Sequence, residues 1–250
     1  MRCGAAMRIT RLFIYFCVMS AMLLTSGCYY LQSTKVPIET MWYKTPGSDT
    51  LFILLPGIGD GADAYAKHGF IARLQEQFRG NTSCDVVAVN AHLKYYLSET
   101  LIERLQQDVV EPAKRGGYKK IYMAGISLGG FGTLLYLRDH PDDLTSVVLL
   151  APYLGEQEYY KHLLDGEPQP AAAVAEKKNI WPWLEAMPEQ IRNKIFLGYG
   201  EQDKFAQPDE LLAALLPDGH TLTVPGIHHW ATWEQLWPEL LARLKAADTD

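Results

Sequence analysis

The sequence predicts an α/β domain built on a mainly parallel central sheet, with helices on both faces and a small cap insertion. Three observations predict it. Strand-like apolar runs alternate with segments of helical periodicity, the βαβα pattern of a parallel sheet. One strand-like run leads directly into Gly125-Ile126-Ser127-Leu128-Gly129, a strand–turn–helix signature. The chain has 250 residues and 48% apolar content, which suits one sizeable core.

The elements follow in order. Residues 36–44 and 50–55 read as the first strands. Phe70, Ile71, Leu74 and Phe78 share one helical face. Residues 84–89 form a strand, and Leu101, Leu105, Val109 and Val110 mark a helix that starts near Ser98, with Glu99 and Glu103 early in it. Residues 121–126 form the strand before Ser127, and Phe131, Leu134, Leu135 and Leu137 line the next helix. Residues 146–150 are a further strand. The pattern loosens over 153–193, which holds Tyr153, Trp181 and Trp183 and reads as the cap, a small helical lid or pocket wall. Two more strands, 194–200 and 220–224, lead into Glu201-Gln202-Asp203 and Pro225-Gly226-Ile227-His228-His229-Trp230. Apolar residues at 230, 233, 236, 237, 240, 241 and 244 give a terminal helical stripe. Pro238 falls inside it and is expected to begin a second helix, because proline fits a first turn and not an interior.

The chemistry sits at strand ends. A serine hydroxyl is a poor nucleophile unless the backbone presents it sharply to a base, and G-x-S-x-G builds that presentation. After Ser127 come an acid and a histidine, each just past the C-terminal end of a strand, where an open α/β sheet gathers its reactive groups. The strand at 51–55 breaks into Pro56-Gly57-Ile58-Gly59-Asp60, whose backbone can turn an N–H toward a substrate oxygen. Asp60 itself reads as a turn or cap residue. Two choices stay open on the residues alone: Glu201 against Asp203, and His228 against His229. Neighbouring side chains in an extended segment point apart, so only one histidine can face Ser127.

On these residues the chain resembles an α/β-hydrolase over roughly residues 50–246. The resemblance implies Ser127 as nucleophile, Asp203 as acid and His228 as base, with oxyanion donors from the backbone N–H groups of Leu128 and of Ile58. The run Gly226 to Trp233 is similar to the G-x-H-x-W-x-x-W ending of esterase-D-like and enterochelin-esterase-like members, in which the first histidine is the base. Pro56-Gly57 departs from the His-Gly of many esterases. The activity implied is hydrolysis of a small-molecule or lipid ester, a carboxylesterase reaction. Acyl transfer on the same triad, or a non-catalytic binding lipoprotein, are the alternatives. Tyr153 and Trp181 are the candidate substrate contacts. No metal-ligand spacing occurs, and no cofactor is implied.

The first 35 residues read separately. Arg2, Arg8 and Arg11 precede an apolar run at 12–24 that is short for a bilayer span. Thr25-Ser26-Gly27-Cys28 follows. This resembles a bacterial lipoprotein signal, with residues 1–27 removed, Cys28 lipidated and 28–35 as tether to the domain at 36–250. Tyr29, in place of Asp, resembles sorting to the outer membrane, with the domain in the periplasm. Only Cys84 would then remain in the mature domain, read as a small buried hydrophobe. The net charge of −6 and the lack of a basic block make nucleic acid an unexpected partner.

Overall fold

A computed structural model describes residues 32–79, 83–169 and 171–248. Residues 1–27, the proposed signal, and Cys28, the proposed lipid site, lie outside the described residues.

Seven strands form one sheet in the order β1-β3-β2-β4-β5-β6-β7. They are β1 (Thr40–Tyr43), β2 (Thr50–Leu55), β3 (Cys84–Val89), β4 (Lys120–Ile126), β5 (Ser146–Leu150), β6 (Ile195–Gly200) and β7 (Thr221–Val224). All neighbours pair in parallel except β1, which runs antiparallel to β3 with Thr40 opposite Val89. The first strand is shorter than expected and opens only at Thr40. Every residue of β2, β3 and β6 is buried, so helices and loops cover both faces of the sheet centre.

The helices are α1 (Ala64–Lys67), α2 (Phe70–Gln77), α3 (Leu93–Leu97), α4 (Leu101–Leu105), α5 (Glu111–Arg115), α6 (Leu128–Asp139), α7 (Gln157–Asp165), α8 (Ala171–Val174), α9 (Trp181–Ala186), α10 (Glu189–Arg192), α11 (Ala206–Ala213) and α12 (Trp230–Ala247). Between α4 and α5 the chain turns as a π-helix over Gln106–Val110. That register suits Pro112, which has no N–H to return to the preceding turn. The 153–193 insertion is helical, as expected. Tyr159, Tyr160, Ile180, Trp181 and Leu184 within it are buried and join the main core.

The expectation at Pro238 is overturned. Helix α12 runs unbroken from Trp230 to Ala247 with Pro238 inside it. A proline there leaves the carbonyl four residues earlier without its helical donor. That carbonyl belongs to Glu234, and the Arg73 guanidinium donates to it at 2.8 Å. Arg73 lies on α2, so the donor arrives from another helix and the sequence pattern of α12 alone could not reveal it.

Because β2 to β7 are parallel, their C-terminal ends lie along one edge. Leu55 is level with Gly125, Ile126 with Leu150, and Gly200 with Val224. The four loops that carry candidate chemistry leave from that edge.

Candidate active site

Ser127 sits between the end of β4 and the first residue of α6 with φ 53° and ψ −115°. A side chain at positive φ is strained by about 1–3 kcal/mol, so the surroundings must hold it. They do so through three backbone hydrogen bonds. The Ser127 N–H donates to Leu150 O at 3.0 Å, and its carbonyl accepts from Phe131 N at 3.2 Å and Tyr153 N at 3.0 Å. The flanking glycines are required by space. A Cβ on Gly125 would lie 2.1 Å from the Gly129 carbonyl oxygen, and one on Gly129 would lie 2.0 Å from that of Leu55. The motif residues Gly-x-Ser-x-Gly are therefore the ones that let strand, turn and helix cross.

Asp203 follows β6, and its side chain is fully buried. Its Oδ1 accepts from the Phe205 N–H at 2.9 Å. His228 Nδ1 donates to the same carboxylate, 2.9 Å from Oδ1 and 2.8 Å from Oδ2. With its proton on Nδ1, the ring turns the bare Nε2 to Ser127, whose hydroxyl donates to it at 2.9 Å. The loops meet because glycines let them close: a Cβ on Gly200 would lie 2.3 Å from the Gly226 carbonyl oxygen. The two open choices resolve in space. Glu201 is exposed, and His229 Nδ1 accepts from Ala231 N at the start of α12 instead of facing Ser127.

An aromatic shell packs around His228. Phe205 and Trp233 present their edges to the His228 ring at centroid distances of 4.9 and 5.0 Å. Trp230 packs against Trp233 and stacks on His68 at 4.0 Å. Sequence reasoning missed this shell because the partners come from three separate parts of the chain. The one available signal was the clustering of tryptophans after the histidine.

A cleft of about 220 Å³ opens over Ser127 and His228. Gly57 and Ile58 form one part of its wall, and a turn closed by Asp60 N to Gly57 O at 3.2 Å shapes them. Leu128 is the first residue of α6, so its N–H is one that a helix leaves without an internal acceptor. Lys204, Asp60, His229, Trp230 and Trp233 complete the cleft. Burial pushes the Asp60 carboxyl upward, against a hydrogen bond from the Trp230 side chain that pulls it down. A larger hollow of about 410 Å³ borders Trp42, Lys44 and Tyr118, but Lys44, Asp85 and Tyr118 bond to one another there, and it carries none of the Ser127 machinery.

The two candidate substrate contacts do not reach this cleft. Trp181 has no exposed surface. Its indole N–H donates to Leu154 O at 2.9 Å, and its ring packs on Tyr160. Tyr153 stands one ring behind the base: it meets Phe205 edge-on at 5.7 Å, and its hydroxyl bonds Glu156. His92, which follows β3, is buried against Tyr95. Among the described residues no group of three or more His, Cys, Asp or Glu side chains could hold a metal ion. Asp209, on α11, is fully buried, and neither carboxyl oxygen has a hydrogen-bond partner among the described residues.

A strained serine between a parallel strand and a helix, with histidine and aspartate delivered from later strand ends, defines an α/β-hydrolase. The family model described as serine aminopeptidase, S33, matches residues 99–223, half of the 250-residue chain, and the chain belongs to this family. No curated protein matches it by sequence. Similar solved structures include a ferulic acid esterase at 14% identity and TM-score 0.58, covering 82% of this chain and 87% of that one. Est1E from Butyrivibrio proteoclasticus is similar at 18% identity and TM-score 0.53, over 84% and 96% of the two chains. The peroxisomal α/β-hydrolase Lpx1 from Saccharomyces cerevisiae is similar at 13% identity and TM-score 0.59, over 85% and 82%. At such identities the likeness is one of fold.

Proposed function

We propose that the protein is a serine hydrolase that cleaves carboxylic esters through an acyl-enzyme on Ser127, and that it is tethered to the bacterial envelope by lipid on Cys28. The observation that carries the catalytic reading is the continuous hydrogen-bonded line from Asp203 through His228 to Ser127 Oγ.

The chemistry follows from that line. His228 Nε2 takes the hydroxyl proton as Ser127 Oγ bonds to the acyl carbon. The imidazolium that results is stabilised by the buried Asp203 carboxylate. The negative charge developing on the former carbonyl oxygen meets the N–H groups of Leu128 and Ile58, and loss of one such donor typically costs about 10²–10³ in kcat. The C–O bond to the alcohol then breaks, and His228 returns the proton to the departing oxygen. Water repeats the sequence on the acyl-enzyme and releases the acid. The cleft is smaller than the roughly 300–1,000 Å³ of common ligand sites, which favours a compact group beside the reacting carbon.

The test is turnover of p-nitrophenyl esters from acetate to palmitate by wild type and Ser127→Ala. A fall of about 10⁴-fold or more in the variant is expected. Equal turnover in the two proteins would sink the assignment of the nucleophile. Running p-nitroanilides beside the esters separates an esterase from the peptidase that the family's description names.

A further inference from the structure

Lys204 follows Asp203 directly, so the residue after the buried acid lies on the cleft. Its side chain is exposed, and its Nζ rests 4.8 Å above the Phe205 ring. Other lysines of this chain, such as Lys67, Lys114, Lys120 and Lys161, sit against carboxylates. Lys204 forms no ion pair among the described residues. The carboxyl on the cleft wall, Asp60, takes a hydrogen bond from Trp230 and keeps the opposite charge, so an anionic substrate group belongs on the Lys204 side of the cleft. The Asp203 carboxylate is spent on His228 and the Phe205 N–H.

The remaining polar groups of the cleft are donors. His229 uses Nδ1 as an acceptor, which leaves its proton on Nε2. Trp233 also lines the cleft, but its indole N–H is buried and meets no acceptor among the described residues. A cleft that offers an ammonium without an ion-pair partner and the His229 ring N–H is matched by a substrate that brings acceptors and negative charge. Whole-protein electrostatics points the other way, since a net charge of −6 repels anions. Any preference for an anionic substrate must then arise locally, and Lys204 is the cation placed to supply it.

We propose that Lys204 is a specificity-determining residue that selects esters bearing a carboxylate on the acyl or the alcohol part. The inference rests on the ester-hydrolase reading of the same cleft. Two matched pairs of substrates test it: p-nitrophenyl hydrogen adipate against p-nitrophenyl methyl adipate, and 4-carboxyphenyl acetate against its methyl ester. The readout is the ratio of kcat/KM, anion over neutral, for wild type, Lys204→Ala and Lys204→Glu.

At least one pair is expected to favour the anion in wild type. That ratio should fall about 5-fold in Lys204→Ala, the scale of a solvent-exposed ion pair, and further in Lys204→Glu, mostly through KM. Raising ionic strength should shrink the wild-type preference. No preference in either pair, or one that both variants keep, overturns the proposal. Labelling by a fluorophosphonate separates the two levels. Wild type that labels and hydrolyses the neutral esters without anion preference defeats this inference alone. Wild type that neither labels nor hydrolyses any ester defeats the hydrolase reading and this inference with it.

Discussion

Asp209 is a carboxylic acid sealed in the protein, with both oxygens unpartnered and Asp203 near enough to oppose its ionisation. Burial, and then that like charge, push its proton affinity well above the ordinary carboxylate range. The sign follows from linkage. The unfolded chain gives up this proton near the usual 3.8, whereas the folded chain keeps it. Stability is therefore fullest below that value and declines as pH rises, because the unfolded state then binds fewer protons. Asp209→Asn should raise the melting temperature more at pH 8 than at pH 5, as read by thermal melts at both. A difference that does not grow with pH would refute the buried-acid account. Gly129 gives a second prediction: Gly129→Ala places a Cβ 2.0 Å from a backbone oxygen and should cost about 3 kcal/mol or more in urea melts. At this scale the site was legible only in part. That Ser127, Asp203 and His228 would meet could be read, because a triad of this kind needs them in a fixed order at strand ends. Asp209 could not, since an acid in the first turns of a helix ordinarily faces water. Trp181 misled because an aromatic side chain suits a pocket wall and a core equally well, and only packing decides between them.

The helix α12 shows what an element can conceal. Its apolar stripe was plain in the sequence, yet Pro238 read as a boundary because the compensating donor, Arg73, lies 161 residues from Glu234. A double-mutant cycle checks the compensation. Arg73→Ala should destabilise the wild-type helix more than it destabilises Pro238→Ala, where the backbone N–H can serve the same carbonyl. The coupling expected in denaturant melts is about 0.5–1 kcal/mol. No coupling would mean that water serves the Glu234 carbonyl equally well. The strands were easier to place, because β2, β3 and β6 are apolar but for Thr50 and Asp85 and each ends at turn residues. Strand β1 was overextended in the sequence reading, since an edge strand with Met41 and Trp42 partly exposed offers no burial pattern to bound it.

For the whole molecule, alternation of strand and helix announced a parallel sheet. The order β1-β3-β2-β4-β5-β6-β7 and the antiparallel edge depend on long-range pairing that local periodicity does not record. Residues Val36–Asp250 form one compact unit with its own core. A protein beginning at Val36 should therefore fold cooperatively and keep the ester turnover of the full chain, while losing the membrane association that Cys28 is proposed to supply. Cys28→Ala in the full chain should release it from membranes in the same way. Sedimentation with membranes and turnover in each fraction would decide, and a truncated chain that stays with the membrane would remove the case for the anchor. Helix α12 carries a consequence for how such a protein is made. It begins directly after His229, and its Trp237 donates to Phe70 O while Lys245 donates to Gln77 O. His228 is thus seated by contacts that exist only once α12 has been synthesised. A nascent chain that stops short of α12, however much of its sheet has formed, lacks the ring packing that holds His228 against Ser127.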